Sequence, residues 1–354
     1  MSDMTQQLQT EIETAYHEQT PLHIIGNNSK YFYGQKIEGQ ALNVAGHQGI
    51  VSYEPTELVV TARAGTTIKE IQQTLAAKGQ QLAFEPPCFA DNATLGGTIA
   101  CGFSGASRPF VGAARDFVLG VKCINGEGKL LNFGGQVMKN VAGYDVSRLM
   151  VGALGTLGVM LEISCKVLPL AEETETLAIN TDMNGALDLM LHWSNQNLPL
   201  TATCFDGERV YFRLAGTAIQ SAVQQLKQAG ATVYDNGVQF WDDLGEQRLD
   251  FFQQDKPLWR ISVPMNTPNL KLAGQTIIEW NGALRWLSTD LAADEIRNKV
   301  KAVGGHATLF HQAQLTDVPV FQPLEPALFA LQQRLKQQFD PKQILNRGKL
   351  FADI

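Results

Sequence analysis

Three stretches rich in glycine and hydroxyl-bearing residues could bring backbone amides close to an anionic or flat ligand. The first is Gly26-Asn27-Asn28-Ser29-Lys30, which follows the apolar residues Leu22–Ile25. Small residues after a strand let successive N–H groups face one concavity that holds phosphate oxygens, while the serine and the lysine add a hydroxyl group and a positive charge. An ordinary turn uses the same residue types, so this stretch alone leaves both interpretations open.

The second stretch combines glycines with hydroxyl groups on either side of a short apolar segment. It comprises Phe84–Pro87, Thr94–Thr98 and Gly102–Gly105. Glycine permits close approach of the backbone to a ligand, and here it recurs in two successive loops. Glycine turns alone would not account for the hydroxyl residues beside both loops, so a ligand site is favoured.

The third stretch comprises Lys139–Asp145 and Gly152–Val159, and its second part has three glycines immediately before a predicted strand. In the dinucleotide fingerprint GxGxxG the glycines instead follow a strand and open a helix. The order found here therefore argues against a Rossmann site and again suits a backbone pressed against a ligand.

The succession of these stretches resembles the FAD-binding domain of the vanillyl-alcohol oxidase and p-cresol methylhydroxylase (PCMH) family, and within it the flavin subunits of bacterial glycolate oxidases. The resemblance covers most of residues 20–170, with weaker matches at Leu258–Pro264, Gly304–Phe310 and Phe339–Asn346. It implies FAD as the cofactor. Because the first stretch has neither a histidine nor a cysteine for a covalent bond, we expect noncovalent FAD, with Cys101 the thiol beside a predicted flavin loop.

The resemblance implies that the first stretch wraps the FAD pyrophosphate, the second lines the flavin and ribityl chain, and the third meets the adenine side or the flavin edge. It also implies a C-terminal return to the flavin, although Arg347 stands where such tails more often have proline. The predicted cofactor-binding residues are Gly26, Asn27, Asn28, Ser29, Lys30, Pro87, Thr94, Leu95, Gly96, Gly97, Thr98, Gly102, Ser104, Gly105, Gly155, Thr156, Gly158, Val159, Asn346 and Lys349.

Arg260 and Arg285 are the candidate substrate-binding residues, because each lies on a predicted strand beside a tryptophan. A guanidinium group can hold the carboxylate of a 2-hydroxy acid through two parallel hydrogen bonds. Sheet arginines stacked on aromatic rings are the alternative. His306 and His311 are five positions apart, which places them on opposite faces of a strand, so we expect no shared metal site and assign no general base.

The order of predicted elements indicates an α+β fold. The resemblance implies that residues 1–172 form a two-subdomain, PCMH-type FAD-binding domain and that residues 321–354 form a helix and tail that return to it. Glycine clusters end near Ala171, and residues 173–320 contain two copies of a β-α-β-β-α-β pattern, the ferredoxin-like split unit. Two such units side by side would make an antiparallel-sheet cap with helices on one face.

Composition and cysteine spacing argue against nucleic-acid-binding, membrane-spanning and metal-binding proteins. The chain is 44% hydrophobic and 18% charged, with a net charge of -7, which argues against a nucleic-acid partner. No apolar run is long enough to span a membrane, and Met1–Gln19 lacks the apolar core of a signal peptide. The five cysteines are an odd number in a chain without a predicted signal peptide, so we expect reduced thiols in the cytoplasm. They also lack CxxC spacing, so we expect no iron–sulfur or zinc site.

The resemblance implies an FAD-dependent subunit that oxidises a 2-hydroxy acid, glycolate, to a 2-oxo acid as part of a complex. A larger paralogous FAD subunit and an iron–sulfur subunit are the implied partners, through which membrane contact would occur. The chain lacks the His-rich GDGN-type signature of hydroxy-acid dehydrogenases. A noncatalytic subunit that holds flavin for electron transfer or assembly therefore stays open. A stand-alone reductase of this fold is disfavoured by the duplicated cap.

Overall fold

The computed structural model describes residues 2–135, 145–313, 317–352 and 354. Most of the predicted segment Lys139–Asp145 lies outside these residues. The chain divides into two compact units. Unit 1 comprises Met1–Ser104, Ala113–Leu170 and Pro323–Ile354, and unit 2 comprises Gly105–Gly112 and Ala171–Gln322.

The strands are named in chain order. They are β1 Leu22–Ile25, β2 Gln40–Asn43, β3 Ile50–Glu54, β4 Val59–Arg63, β5 Gln80–Gln81, β6 Val118–Ile124, β7 Leu130–Gly134, β8 Val159–Lys166, β9 Leu168–Pro169, β10 Glu173–Asn180, β11 Leu200–Phe205, β12 Arg209–Gly216, β13 Thr232–Val233, β14 Leu258–Ser262, β15 Gln275–Glu279, β16 Leu284–Ser288 and β17 His306–His311.

The α-helices are named in the same way. They are α1 Thr5–Glu18, α2 Ile68–Ala76, α3 Leu95–Cys101, α4 Arg108–Val111, α5 Ala114–Phe117, α6 Met183–Ser194, α7 Gln220–Gln228, α8 Gly237–Gly245, α9 Ala293–Ala302 and α10 Pro326–Phe339. In the part of the chain that the structure describes, no helix combines the length and the apolar character needed to cross a membrane.

Unit 1 is built on a five-stranded antiparallel sheet in the order β3-β4-β8-β6-β7. Most residues of its central strands β4 and β8 are buried. A tight turn joins β6 and β7, in which Asn125 Oδ1 accepts hydrogen bonds from Glu127 N at 3.1 Å and Lys129 N at 2.9 Å. Such side-chain bonds are typical of asparagine in turns.

The C-terminal tail continues a second, parallel sheet of unit 1. Strands β1 and β2 pair in parallel, and Leu345 forms a parallel bridge with Leu22. Leu22 N donates to Ile344 O at 2.7 Å, and Asn346 N donates to Leu22 O at 3.0 Å. The apolar side chains of Ile344 and Leu345 join the core formed with α1. The tail is thereby fixed beside the strand that leads into the first glycine-rich stretch.

Unit 2 contains one eight-stranded sheet in the order β13-β10-β12-β11-β15-β16-β14-β17. Numbered within each copy, the strands follow the order 4-1-3-2 and then 2-3-1-4, so the two copies meet edge to edge. Cys204 of β11 pairs with Glu279 of β15 at this junction. Each copy has its own apolar core. The antiparallel sheet of two ferredoxin-like copies is confirmed.

The prediction that both copies have the full β-α-β-β-α-β pattern is wrong for the second copy. Residues 263–274, between β14 and β15, contain no helix. Pro264 and Pro268 lie in this segment, and proline lacks the N–H group that a helix interior needs. The first copy is instead followed by an additional helix, α8, whose Trp241 Nε1 donates to Thr176 Oγ1 at 3.0 Å.

The compact units do not coincide in every segment with the predicted domains. The units change at residues 170/171 and 322/323, close to the predicted boundaries, but Gly105–Gly112 groups with unit 2. No composition shift marks this short segment in the sequence. The division into a cofactor domain and a substrate domain stays a prediction.

Candidate functional site

Unit 1 contains a cavity that encloses about 880 Å³, open solvent at its mouth included. This volume lies within the range of cofactor sites, roughly 300–1,000 Å³. The predicted cofactor residues that line it are Gly26, Asn27, Asn28, Ser29, Lys30, Thr94, Gly96, Gly97, Gly155, Gly158, Asn346 and Lys349. The structure thus brings together residues from all three glycine-rich stretches and from the tail.

The first stretch forms an irregular loop at the end of β1. Asn28 has a φ of 57°, and a left-handed residue in such a loop turns successive amide groups toward one side. Asn27 Nδ2 donates to Asn92 O at 2.7 Å, and Lys30 Nζ donates to Cys88 O at 3.2 Å. These two bonds tie the loop to the segment before α3, so its shape is fixed by long-range contacts.

The adjacent glycines of α3 have different surroundings. A Cβ atom at Gly96 would lie 2.8 Å from the Ala64 Cβ atom, and Gly96 N donates to Ala64 O at 2.7 Å. Gly96 therefore allows α3 to pack against the end of β4. A Cβ atom at Gly97 would meet one neighbour, Thr94 Oγ1, at 3.2 Å. Gly97 is thus the glycine of the pair that leaves space on the cavity side.

Gly155 makes room for a side chain of the tail. It has a φ of +75°, and a Cβ atom there would lie 2.8 Å from Asn346 Nδ2. Asn346 Nδ2 donates to Leu154 O at 2.6 Å, while Asn346 Oδ1 accepts from Ile24 N at 2.8 Å. Asn346 therefore links the tail, β1 and the Gly155 loop at the wall of the cavity.

The remaining predicted cofactor residues do not line the cavity; they are Pro87, Leu95, Thr98, Gly102, Ser104, Gly105, Thr156 and Val159. Gly102 ends α3 with a φ of +67°, and a Cβ atom there would lie 3.0 Å from Gly152 N. Ser104 Oγ accepts from Ala114 N at 2.9 Å, and Thr156 Oγ1 donates to Ala153 O at 2.8 Å. Gly105 belongs to unit 2. Within unit 1, Gly102, Ser104 and Thr156 thus support the backbone next to the lining residues.

Cys101, predicted to lie beside a flavin loop, also lines the cavity. The lining residues that sequence reasoning missed are His23, Ile24, Tyr31, Tyr33, Val44, Ala64, Ala100, Leu154 and Met160. One of them, Ala100, carries a signal that could have been used. Ala100 and Cys101 lie three and four positions after Gly97 in α3, and residues at these separations share one helix face. Ile24, Leu154 and Met160 lie in or next to the glycine-rich stretches, whereas Val44 and Ala64 come from other parts of the chain and have no such local signal.

The cavity is electropositive. Lys30 and Lys349 are both 8% exposed, and no Asp or Glu of the described residues lines the cavity. Burial lowers the pKa of Lys349, and burial together with the charge of Lys349 lowers the pKa of His23. An anion placed here would offset the cost of burying two ammonium groups. The residues present therefore fit a phosphate-bearing cofactor.

Cys101 lies in this cavity as an un-ionised thiol. Burial raises the pKa of Cys101 to about 11, against the opposing charges of Lys30 and Lys349. Because the thiolate is the nucleophile, a thiol with this pKa is unreactive at neutral pH. This property supports the expectation of a noncovalent cofactor.

Arg285, one of the two candidate substrate-binding residues, is buried inside unit 2 and binds backbone groups there. It is 4% exposed, and its Nε, Nη1 and Nη2 atoms donate to the backbone oxygens of Gly282, Pro268 and Thr267. Burial lowers the pKa of Arg285 to about 10. The guanidinium group supports the irregular 263–274 segment, which argues against a role in binding a substrate carboxylate.

Arg260 belongs to a cluster around Trp280 that we call the arginine–tryptophan cluster, formed by Arg108, Arg260, Trp280 and His306. The guanidinium carbons of Arg108 and Arg260 lie 4.4 and 5.0 Å from the centre of the Trp280 ring. Partial burial lowers the pKa of His306, and the charges of Arg260 and Arg108 lower it further. Trp280 Nε1 donates to Gly105 O at 2.9 Å, which holds the ring in place.

The opposite-face prediction for His306 and His311 rested on regular alternation along β17. In the structure the register between β14 and β17 shifts between Leu258 and Trp259, so the alternation is interrupted at this point. Burial lowers the pKa of His311 as well. Across the described ranges, no group of three or more His, Cys, Asp or Glu side chains could hold a metal ion.

The fold and the cavity define an FAD-binding flavoprotein of the PCMH type. A family model described as FAD binding domain matches residues 3–134. The structure is similar to that of 4-ethylphenol oxidase from Gulosibacter chungangensis, with a TM-score of 0.71 and 13% identity over 99% of this chain and 88% of that one. At this identity the likeness shows the fold alone.

Sequence relatives define the family more closely. The chain is 44% identical over 354 residues to the glycolate oxidase subunit GlcE of Escherichia coli, which covers 99% of both chains. It is 31% identical over 177 residues to a D-lactate dehydrogenase of Archaeoglobus fulgidus, which covers 47% of this chain and 39% of the relative. The chain belongs to the GlcE family of FAD-dependent oxidoreductase subunits.

A third relative is the glycolate oxidase subunit GlcD of Bacillus subtilis. It is 33% identical over 129 residues, which cover 36% of this chain and 27% of that protein. The similarity to this subunit therefore covers about a third of the chain.

Proposed function

We propose that the unit 1 cavity holds FAD and that the chain takes part in oxidising a small 2-hydroxy acid of the glycolate type to a 2-oxo acid. The electropositive, acid-free cavity lined by the glycine-rich stretches carries this proposal. The identity to a glycolate oxidase subunit over 99% of the chain supports the substrate class. When bound, FAD supplies the acceptor for the hydride from the α-carbon.

The residues proposed to hold FAD contribute backbone amides, positive charges and open space. The irregular loop Gly26–Lys30 offers backbone amides, and Lys30 and Lys349 offer charges, which together suit the pyrophosphate. Gly97 leaves space for a flat ring system beside α3. The Cys101 thiol, which stays protonated, lies in the cavity without offering a covalent bond.

The arginine–tryptophan cluster is the proposed site for the substrate carboxylate. Arg108 and Arg260 supply two guanidinium groups near one indole ring, and guanidinium groups bind carboxylates in a bidentate manner. His306 keeps a pKa below its usual value and is therefore neutral at neutral pH. A neutral imidazole can accept the proton of the substrate hydroxyl group. His306 is the group in this cluster with that capacity.

A second candidate function is a flavin-holding subunit without substrate chemistry of its own. The chain lacks the His-rich GDGN-type signature of hydroxy-acid dehydrogenases, which favours this second function. Without that signature, the arginine–tryptophan cluster would have to bind the substrate alone. In both cases we propose a larger paralogous flavin subunit and an iron–sulfur subunit as partners. Two relatives named as glycolate oxidase subunits support such a complex, and the chain has no CxxC motif for a cluster.

Anaerobic titration of the holoprotein with glycolate, followed by the flavin absorbance, tests these proposals. We expect Arg260→Ala to raise the glycolate concentration needed for flavin reduction in the complete complex. Arg213→Ala is the matched control, because Arg213 also lies over a tryptophan of unit 2, 5.2 Å from the Trp241 ring. Equal effects of the two substitutions would show that Arg260 only supports the fold. Flavin identified as FMN after denaturation would contradict the proposed cofactor.

A further inference from the structure

A buried ion pair lies close to the cavity at the end of α10. Lys336 and Asp340 are 1% and 0% exposed, and Lys336 Nζ lies 2.8 Å from Asp340 Oδ2. Burying two charges is costly, and a pair of apolar residues often gives equal stability. The attraction between the two charges is therefore a weak reason for burying a pair at this depth.

The pair satisfies backbone groups of two irregular segments. Lys336 Nζ also donates to Thr156 O and Leu345 O, both at 2.8 Å. Asp340 Oδ1 accepts from Ile344 N at 3.0 Å, and Asp340 Oδ2 accepts from Leu345 N at 2.7 Å. Buried backbone groups outside regular helices and sheets need such partners. The two side chains thus hold the 155–158 loop and the tail in one arrangement.

Both segments continue directly into the wall of the cavity. Thr156 follows Gly155, and Leu345 precedes Asn346, whose side chain links Leu154 O to Ile24 N. Three residues further on, Lys349 brings its buried ammonium group to the cavity. The ion pair does not line the cavity itself, but the two carbonyl groups that Lys336 binds belong to Thr156 and Leu345, which are next to the lining residues Gly155 and Asn346.

The packing around Asp340 shows that its position is specified by the chain. A Cβ atom at Gly126 would overlap Asp340 Oδ1, and Gly126 N donates to Phe339 O at 2.8 Å. The β6–β7 turn therefore fits closely against the end of α10. Displacement of Asp340 would disturb the tail and this turn together.

We propose that Lys336 and Asp340 are positioning residues for FAD, which fix the segment 344–349 against the Gly155 loop so that Asn346 and Lys349 face the cofactor. This inference rests on the proposal that the cavity holds FAD. It predicts that breaking the pair weakens FAD binding by releasing the tail, without removing any atom that lines the cavity.

The test compares Lys336→Met with Lys122→Met. Lys122 pairs with Glu162 at 3.1 Å in the same unit, between β6 and β8, and does not line the cavity. We expect Lys336→Met to raise the FAD dissociation constant at least about tenfold, equal to about 1.4 kcal/mol, and Lys122→Met to leave it unchanged. Circular dichroism and thermal unfolding of both apoproteins report any general loss of stability.

Hydrogen exchange gives a readout that general destabilisation would not reproduce. In the wild-type protein we expect FAD to protect the amides of 344–346 and 154–156 together. In Lys336→Met the amides of both segments should exchange faster, whereas the amides of strands β6 and β8 should exchange as in the wild-type protein. If Lys336→Met fails to fold, Asp340→Asn and the wild-type exchange pattern provide the same test.

The outcomes separate this inference from the proposed function. Unchanged FAD affinity in Lys336→Met, or independent protection of the two segments, overturns the positioning role while leaving the cofactor proposal intact. Failure of the wild-type protein to bind FAD overturns the cofactor proposal, and the positioning role for FAD falls with it. In that case, faster exchange of residues 344–346 in Lys336→Met than in the wild-type apoprotein would show that Lys336 only stabilises the tail.

Discussion

Replacing Gly97 with valine tests whether the cavity beside α3 is the flavin site. Gly97 lines the cavity, and a Cβ atom there meets only Thr94 Oγ1, at 3.2 Å. Valine adds three carbon atoms on the side where the cofactor has to approach. We expect FAD binding to weaken strongly while unit 1 stays folded.

The magnitude follows from the space that the side chain takes. Overpacking a closely packed site costs about 1–3 kcal/mol, and each displaced CH₂-sized contact costs about 0.8 kcal/mol. A loss of about 2–4 kcal/mol corresponds to a dissociation constant raised roughly 30- to 1,000-fold. Valine is β-branched, so replacing the helical glycine with valine gains less helix propensity than the gain of about 0.5–1 kcal/mol that alanine would give. This gain opposes the contact with Thr94, so the free energy of unfolding should change little.

Titration of the apoprotein with FAD, followed by quenching of the flavin fluorescence, measures the binding loss. Gly96→Ala is the control that should affect stability more than Gly97→Val does, because its Cβ atom would lie 2.8 Å from the Ala64 Cβ atom. It should lower the melting temperature. A Gly97→Val protein that binds FAD with wild-type affinity would show that this glycine serves only the helix and that the flavin lies elsewhere.

The remaining predictions concern the bond to the cofactor, the pH dependence of stability, and the activity of the isolated chain compared with that of the complex. FAD should appear in the supernatant after acid precipitation, and Cys101→Ser should not change this; flavin left on the precipitated chain would contradict a noncovalent cofactor. Burial raises the pKa of Cys101 to about 11 and those of Cys123 and Cys165 to about 12. Unfolded thiols ionise first, so stability should fall between about pH 9 and 12, by up to about 1.4 kcal/mol per pH unit for each thiol. Denaturant unfolding of Cys123→Ala should show a smaller slope in this range. Because the chain lacks the His-rich GDGN-type signature, the second candidate function predicts that the isolated chain reduces its FAD with glycolate slowly or not at all. Single-turnover bleaching as fast as in the complex would instead favour substrate oxidation on this chain.

The glycine-rich stretches could be found from the sequence because their requirement is local. A backbone that needs a positive φ, as at Gly102 and Gly155, or a close contact, as at Gly96, marks the position with glycine whatever lies beyond it. The strands were predictable for a similar reason, because their apolar patterns and turn residues lie within a few positions. Segments at opposite ends of the chain converge on one cavity, and the sequence showed this only through resemblance to a known family.

The functions of individual charged residues could not be predicted in the same way. Arg285 stands beside a tryptophan in the sequence just as Arg260 does, yet the structure gives Arg285 three backbone acceptors and places Arg260 over Trp280. The difference depends on the path of residues 263–274, which lie next to Arg285 only after folding. Likewise, neither Lys336 nor Asp340 belongs to a motif that would indicate burial.

Arg285 and Lys336 illustrate one physical solution used in both units. Each is a buried cation that donates to backbone carbonyl groups of an irregular segment, 263–274 in one case and the tail with the Gly155 loop in the other. A helix or strand would satisfy those carbonyl groups internally, but it would also impose a regular surface. A side chain that supplies several donors from one point satisfies them without regular geometry. In unit 1 this freedom lets the tail bend at Asn346, where φ is 42°, and bring an amide and an ammonium group to the same cavity. The predicted sensitivity of FAD binding to Lys336 follows because Lys336 Nζ is the donor that joins the carbonyl groups of the Gly155 loop and of the tail at one point.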